Sequence, residues 1–179
     1  MYNIVSATLS DIPAIQAVAS CAWVHTFRDI LSDSQTAYMM QLMYSNESLL
    51  EQMQEKNHRY FLAKKQEKTV GYMSIEHNCE NTGKTKIHKA YILPEEQQKG
   101  IGKLFFSVAE AEAEEIGDSV IYLNVNKNNT NAIAFYHRVG FLLVKEEVID
   151  IGNGFVMDDF VFEKNCAKQT HGNTAPEMI

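Results

Sequence analysis

The strongest constraint on the fold is a strand that stops at a proline and is followed by a glycine-containing turn and a long helix. The strand covers Lys86–Leu93, and the helix runs from Gly100 to Ile116 with its apolar residues on one face. A further strand, Val120–Val125, comes directly after the helix. This order is that of a β-α-β crossover, so the sequence predicts two parallel strands with the helix packed against their sheet.

Hairpin patterns lie on both sides of this unit. Tyr60–Ala63 and Val70–Ile75 form one predicted hairpin, and Phe141–Val148 and Phe155–Phe162 form another around a Gly-Asn-Gly turn. A short first strand and three helical segments precede them. The sequence therefore predicts a mixed α/β (α+β) fold, with a central, mostly antiparallel sheet of about seven strands flanked by helices. Residues 1–164 are predicted to form one domain, and residues 165–179, which lack periodicity, a disordered tail.

Charge and composition exclude several classes of protein. The 179 residues include 16 Lys and Arg against 23 Asp and Glu, a net charge of -7, which argues against a nucleic-acid partner. No apolar run approaches a membrane span, and the N-terminus does not resemble a signal peptide. The three cysteines are far apart, without the spacing of a disulfide framework or a metal site. We therefore expect a cytoplasmic protein that has no membrane partner and no metal.

The turn before the long helix has the composition of an anion site. Backbone N–H groups at a helix start are unpaired and favour a phosphate, and Gly100 and Gly102 leave room for one. A dinucleotide fingerprint would need glycine at position 105, where the chain has Phe105, and a Walker loop would need glycine at position 97, where it has Gln97. A helix start that merely contains glycines remains the alternative.

Two motifs together are more specific. Gln97-x-x-Gly100-x-Gly102 after a strand resembles the pyrophosphate loop of the GCN5-related N-acetyltransferase (GNAT) family. The downstream segment from Asn129 to Phe141 resembles the second signature of that family, Asn-x-x-Ala-x-x-Phe-Tyr-x-x-x-Gly-Phe. The resemblance covers Ile4 to Lys164 and includes the order of strands and helices. The first third and the last hairpin also resemble the PaiA-like polyamine acetyltransferase branch.

The resemblance implies a cofactor site for acetyl-CoA, the acetyl donor. Acetyl-CoA would lie between the two parallel strands, which splay apart in this family, and its pantetheine arm would pair with main chain at Ala90, Tyr91 and Ile92. Asn129 would contact the cofactor arm, although it also suits a helix N-cap. The pyrophosphate would be bound by backbone N–H groups of a continuous segment: Gln97, Gln98, Lys99, Gly100, Ile101, Gly102 and Lys103.

The same resemblance implies that Tyr136 is the general acid that protonates the departing CoA thiolate. Two residues, His88 and Glu76, are candidates for the base that removes a proton from the amine. Strand alternation predicts that Lys86, His88, Ala90 and Ile92 share one face of their strand. The alternatives are a packing role for Tyr136 and an ordinary solvent-facing position for His88.

The acceptor pocket of this family is built by the first helices and the last hairpin. Here Trp23, Phe27 and Tyr38 are candidates to line it. Acidic residues of these segments could attract a cationic amine: Asp29, Asp33, Glu47, Asp158 and Asp159. We expect direct acetyl transfer to a small polyamine-like amine, with a protein or peptide N-terminus or lysine as the alternative. A non-catalytic CoA-binding regulatory module is the other class of function considered, and family analogy implies a homodimer.

Overall fold

The computed structural model describes residues 1–166, which form a seven-stranded sheet covered by helices on both faces. The helices are α1 (Ile12–Phe27), α2 (Asp33–Tyr44), α3 (Asn46–Gln54), α4 (Ile101–Ile116) and α5 (Thr130–Arg138). The strands are β1 (Tyr2–Ser6), β2 (Arg59–Lys65), β3 (Lys68–Glu76), β4 (Lys84–Ile92), β5 (Val120–Asn126), β6 (Leu142–Gly152) and β7 (Phe155–Asn165). Of the predicted tail, residues 167–179 lie outside the described residues.

The strands are arranged in the order β1-β2-β3-β4-β5-β7-β6. Neighbouring strands are antiparallel except β4 and β5, which are parallel and joined by α4. This arrangement confirms the predicted fold class. None of the helices in the described part of the chain is long and apolar enough to cross a membrane.

Alternating side chains of the central strands decide which helices cover each face. The Tyr72 hydroxyl on β3 donates to the Tyr44 hydroxyl at the end of α2, at 2.7 Å. The neighbouring Gly71 points the other way, toward Phe105 on α4. We call the face that carries Tyr72 and Tyr91, and that α1 and α2 cover, the front face. The back face is the one that α4 and α5 cover.

The two parallel strands separate after a short paired segment. Pairing runs from Lys84 with Val120 to Ile87 with Leu123 and then stops. Beyond it β4 continues to Ile92 on β3, and β5 continues to Asn126 on β7. The diverging ends leave a gap between them, so the predicted splaying of these strands is confirmed.

A β-bulge lies at the point of divergence. Along β3 and β4, Ser74 pairs with Lys89 but the next residue, Ile75, pairs with Ile87, so His88 is an extra residue. A bulge reverses the faces of the residues that follow it. The prediction that Lys86, His88, Ala90 and Ile92 share one face is therefore wrong: Lys86 and His88 lie on the front face, but Ala90 and Ile92 lie on the back.

Candidate active site

The segment that leads into α4 presents free backbone donors. Gln98 and Gly100 both have left-handed backbone conformations, with φ of 60° and 89°, and these turn the chain sharply into the helix. No side chain caps α4, so the N–H groups of its first turn remain available to an anion. Gln97, Gln98, Lys99, Gly100 and Lys103 are exposed. The local geometry fits the phosphates of a CoA-type ligand.

Gly102 has a different role from Gly100. A Cβ atom at Gly100 would meet open space, so the glycine is needed there for its positive φ. A Cβ atom at Gly102 would lie 3.0 Å from Cζ of Phe135 on α5. Gly102 therefore allows the close approach of α5 to the first turn of α4.

The edge of β4 that faces the gap supplies a second feature for an extended ligand. Beyond Ile87, the described residues contain no strand that pairs with β4 on this side, so main chain at Ala90 and Tyr91 is accessible there. The carbonyl of Ile92 accepts a hydrogen bond from the Gln97 side chain at 3.1 Å. Asn129 caps α5, with its Oδ1 accepting from the Ala132 N–H at 3.3 Å. Its contact with the cofactor arm remains a prediction.

Tyr136 projects from α5 on the back face. Its ring packs among Phe106, Phe141 and Phe162 with centroid distances of 5.8, 6.0 and 6.1 Å. Burial raises the pKa of Tyr136 to about 12, so the hydroxyl is protonated at neutral pH. Phe162 pairs in register with Leu123, the last residue of β5 that pairs with β4, so the Tyr136 ring lies on the back face near the start of the gap. A hydroxyl in this position can donate a proton.

Glu76 and His88 form a hydrogen-bonded pair on the front face. The distance from His88 Nε2 to Glu76 Oε2 is 2.8 Å, and His58 stacks on the His88 ring with centroids 4.0 Å apart. His58 Nδ1 is 3.3 Å from the Ser74 hydroxyl. Both candidates for the base thus lie together, beside the bulge at which the gap begins.

The two histidines are neutral near pH 7. Burial, followed by the charges of His58, Lys86 and Lys89, lowers the pKa of His88 to about 2. Burial and then the charge of Lys89 lower the pKa of His58 to about 4. A neutral His88 can donate its Nε2 proton to the Glu76 carboxylate and keep Nδ1 as an acceptor.

Two histidines and one glutamate are also a donor set for a divalent metal ion. Ligating atoms of His58, Glu76 and His88 lie within 4.8 Å of one another. However, the two rings are inclined by only 20° and stacked, so their in-plane lone pairs do not converge on one point. The observed arrangement therefore suits hydrogen bonding better than metal coordination, and the absence of a metal remains a prediction.

Lys89 is buried beside this pair without a carboxylate partner among residues 1–166. Its ammonium group donates to Gln52 and, at 3.1 Å, to the Tyr60 hydroxyl. It also lies 5.6 Å from the ring centroid of Tyr44. Burial, followed by the charge of Lys56, lowers the pKa of Lys89 to about 7.

The aromatic candidates for the acceptor pocket have different environments. Trp23 is fully buried, and Phe27 stacks on it at 4.5 Å near the edge of the core. Tyr38 is half-buried and donates to the carbonyl of Ile151 at 2.7 Å, which attaches α2 to the last hairpin. Contact of these three side chains with an acceptor remains a prediction.

Sequence reasoning missed His58 and Lys89. His58 precedes β2 with no motif around it, and its role appears only when β2 and β4 are brought together around β3. Lys89 occurs in a strand whose alternation is broken by the bulge, so its burial has no signal in the sequence pattern.

The fold and the site together are those of a CoA-dependent acetyltransferase, with splayed parallel strands beside an uncapped helix start. The model of the acetyltransferase (GNAT) family matches residues 23–141. The chain belongs to this family and is an N-acetyltransferase that uses acetyl-CoA.

Individual relatives agree with this assignment. An uncharacterized N-acetyltransferase of Lactobacillus delbrueckii subsp. lactis is 24% identical over 90% of the chain and 96% of the relative. A spermidine N(1)-acetyltransferase of Thermoplasma acidophilum is 26% identical over 84% of the chain and 92% of the relative. The crystal structure of a PaiA N-acetyltransferase of T. acidophilum with coenzyme A has a TM-score of 0.78 at 24% identity. That comparison covers 92% of this chain and 99% of the other.

The buried Lys89 predicts a pH-dependent stability. Between pH 7 and 8 the unfolded chain keeps this lysine protonated, whereas the folded chain with a pKa of about 7 loses the proton. The unfolded state then binds more protons, so stability rises with pH, by about 1 kcal/mol per unit. Urea denaturation at pH 7, 7.5 and 8 measures this slope. We expect Lys89→Met to remove it and Lys103→Met, at an exposed lysine, to keep it; an unchanged slope in Lys89→Met would contradict the assignment.

Proposed function

We propose that the enzyme transfers the acetyl group directly to a primary amine of a small polyamine-like molecule. The proposal is supported by a proton donor and a proton acceptor that lie on opposite faces of the sheet near one gap. The Tyr136 ring packs on the back face against Phe162, near the start of the gap, and the Glu76–His88 pair lies on the front face beside it. One group can give a proton to a leaving thiolate, and the other can accept one from an amine.

The acceptor class has separate support. A relative with 26% identity is a spermidine N(1)-acetyltransferase, which acts on a polyamine. The chain carries a net charge of -7, and an acidic surface raises the local concentration of a cationic acceptor.

Binding of the donor would use main chain rather than charge. The uncapped turns of α4 would hold the pyrophosphate, and the free edge of β4 would pair with the pantetheine arm. When bound, acetyl-CoA supplies an acetyl group activated as a thioester. In the proposed reaction the amine attacks the thioester directly, so no acyl-enzyme forms.

Proton transfer is then divided between the two faces. A primary amine arrives as an ammonium ion and must lose a proton before it attacks. Because His88 stays neutral, it does not repel this cation. Since a low pKa makes the imidazole alone a weak acceptor, we assign the proton to the hydrogen-bonded pair. Nδ1 of His88 takes the proton from the amine while the Nε2 proton passes to Glu76, whose carboxylate is thereby neutralised. Tyr136, with a pKa of about 12, donates to the sulfur as the thiolate leaves.

Four further expectations remain predictions: a homodimer, no metal, no nucleic-acid partner and a cytoplasmic location. The attraction of a cationic amine by Asp29, Asp33 and Glu47 also remains a prediction.

An acceptor panel tests the proposed class. Purified enzyme is given acetyl-CoA with spermidine, spermine, 1,4-diaminobutane or peptides with free N-termini and lysines, and the released thiol is measured. We expect turnover with the polyamines. Turnover with peptides but not with polyamines would show that the acceptor is a protein or peptide amine. The reaction class would remain the same.

Removal of the Tyr136 hydroxyl tests the acid. We expect Tyr136→Phe to lower kcat by about 10²- to 10⁴-fold because the thiolate would leave without a proton donor. CoA affinity, measured by calorimetry, should remain that of the wild type. His137→Gln, at the next and exposed residue of α5, serves as the control. An unchanged kcat in Tyr136→Phe would show that this tyrosine only packs against its neighbours.

Neutralisation of Glu76 tests the base. We expect Glu76→Gln to lower kcat by about 10²-fold or more, since the amide cannot accept the transferred proton. The loss should shrink as the pH approaches the pKa of the free amine, because less acceptor then needs deprotonation. Glu80→Gln, at an exposed glutamate nearby, is the matched control. A loss that is the same at every pH would argue against a role in proton removal.

A further inference from the structure

A buried carboxylate near the gap, that of Asp159, has no partner in the part of the chain that the structure describes. Asp159 lies on β7, on the front face, where it pairs in register with Asn126 of β5 and Glu147 of β6. Only 5% of the residue is exposed. Within residues 1–166 its carboxylate has neither a hydrogen bond nor an ion pair, which is costly for a buried acidic group.

The surrounding cations are engaged elsewhere. Lys127, after β5, binds Asp158 at 2.6 Å and Glu146 at 2.8 Å. Lys86 on β4 lies 5.5 Å from the ring centroid of Tyr122. Neither forms an ion pair with Asp159, so its charge is not neutralised by a direct contact.

The nearest carboxylates increase the negative charge. Glu147 stands directly opposite, an arrangement of like charges that destabilises a strand pair. Glu147 itself accepts from Lys145 and from Asn124, each at 2.9 Å. Burial, followed by the charges of Asp158 and Glu147, raises the pKa of Asp159 to about 6. The group is therefore mostly ionised at neutral pH despite its burial.

The Asp159 carboxylate is not completely sealed from solvent. No fully buried side-chain oxygen or nitrogen in the described part of the chain lacks a partner, so these unpartnered oxygens must keep some contact with solvent. β7 is the neighbour of β5, which forms one wall of the gap, so Asp159 lies about 5 Å beyond that wall. Its charge also affects the pKa of Tyr91 on the opposite wall.

We propose that Asp159, with Glu147 opposite, binds the second, non-reacting ammonium group of an acceptor that carries two positive charges. An ammonium group here would supply the missing counter-charge and relieve the repulsion between the two carboxylates. The offset from the gap suits a linear diamine or polyamine whose other amine reacts beside His88. This site rests on the proposed function and specifies which amines the enzyme selects.

A pair of acceptors that differ only in the second charge tests the site. Acetylation of 1,4-diaminobutane and of butylamine is measured with the wild type, Asp159→Asn and a control variant. The control is Glu146→Gln, which neutralises the exposed carboxylate next to Glu147 on β6. We expect Asp159→Asn to lower kcat/KM for the diamine by about 10- to 100-fold, as for loss of a hydrogen bond between charged groups. The rate with butylamine and both rates of Glu146→Gln should remain unchanged. Equal losses with both amines, or no loss with either, would overturn the proposal.

Direct binding separates this site from the proposed function. Calorimetric titration of the CoA-bound protein with 1,4-diaminobutane should show weaker binding in Asp159→Asn, and in the wild type the affinity should fall as the pH is lowered through 6. Weaker binding in the variant without any acetylation by the wild type would support the site and refute the polyamine acetyltransferase. Equal binding would refute the site whatever the activity. If Asp159→Asn does not fold, Glu147→Gln gives the same comparison, with a smaller loss expected.

Discussion

The end of the pairing between β4 and β5 is the constraint on which the active site depends. Four residue pairs, from Lys84 with Val120 to Ile87 with Leu123, hold the two parallel strands together. The bulge at His88 follows immediately and bends β4 away, because an extra residue increases the local twist of a strand. The same extra residue turns His88 and Lys89 toward one face. A single local irregularity thus accompanies the opening of the gap and turns a candidate base toward the front face.

Much of this could be read from the chain itself. The crossover unit, the flanking hairpins and the two family motifs depend on short-range patterns, and the structure agrees with the predicted sheet and with the splaying of its parallel strands. The error at Ala90 and Ile92 has a definite cause, since period-2 alternation assumes a regular strand and a bulge leaves no sequence signature of its own. His58 could not have been predicted either. It reaches His88 only because β2 and β4 are both neighbours of β3.

The front face contains two buried charges with opposite surroundings. Lys89 is enclosed by hydroxyl, amide and aromatic groups, and its pKa falls until it can become neutral. Asp159 has the carboxylate of Glu147 opposite it on β6 and stays ionised at neutral pH with a pKa of about 6. One charge is thus satisfied within the protein, whereas the other has no counter-ion among residues 1–166.

Gly102 and Phe135 are in close contact and belong to the two different signature motifs. Phe135 can approach the first turn of α4 only because Gly102 has no side chain, and Tyr136 is the next residue on the same helix. Any larger side chain at position 102 would push the ring outward and carry the neighbouring hydroxyl with it. The glycine in the first turn of α4 therefore helps to set the position of Tyr136. A substitution there could slow the chemistry while leaving the phosphates bound, so donor affinity alone would be a poor measure of whether this turn is intact.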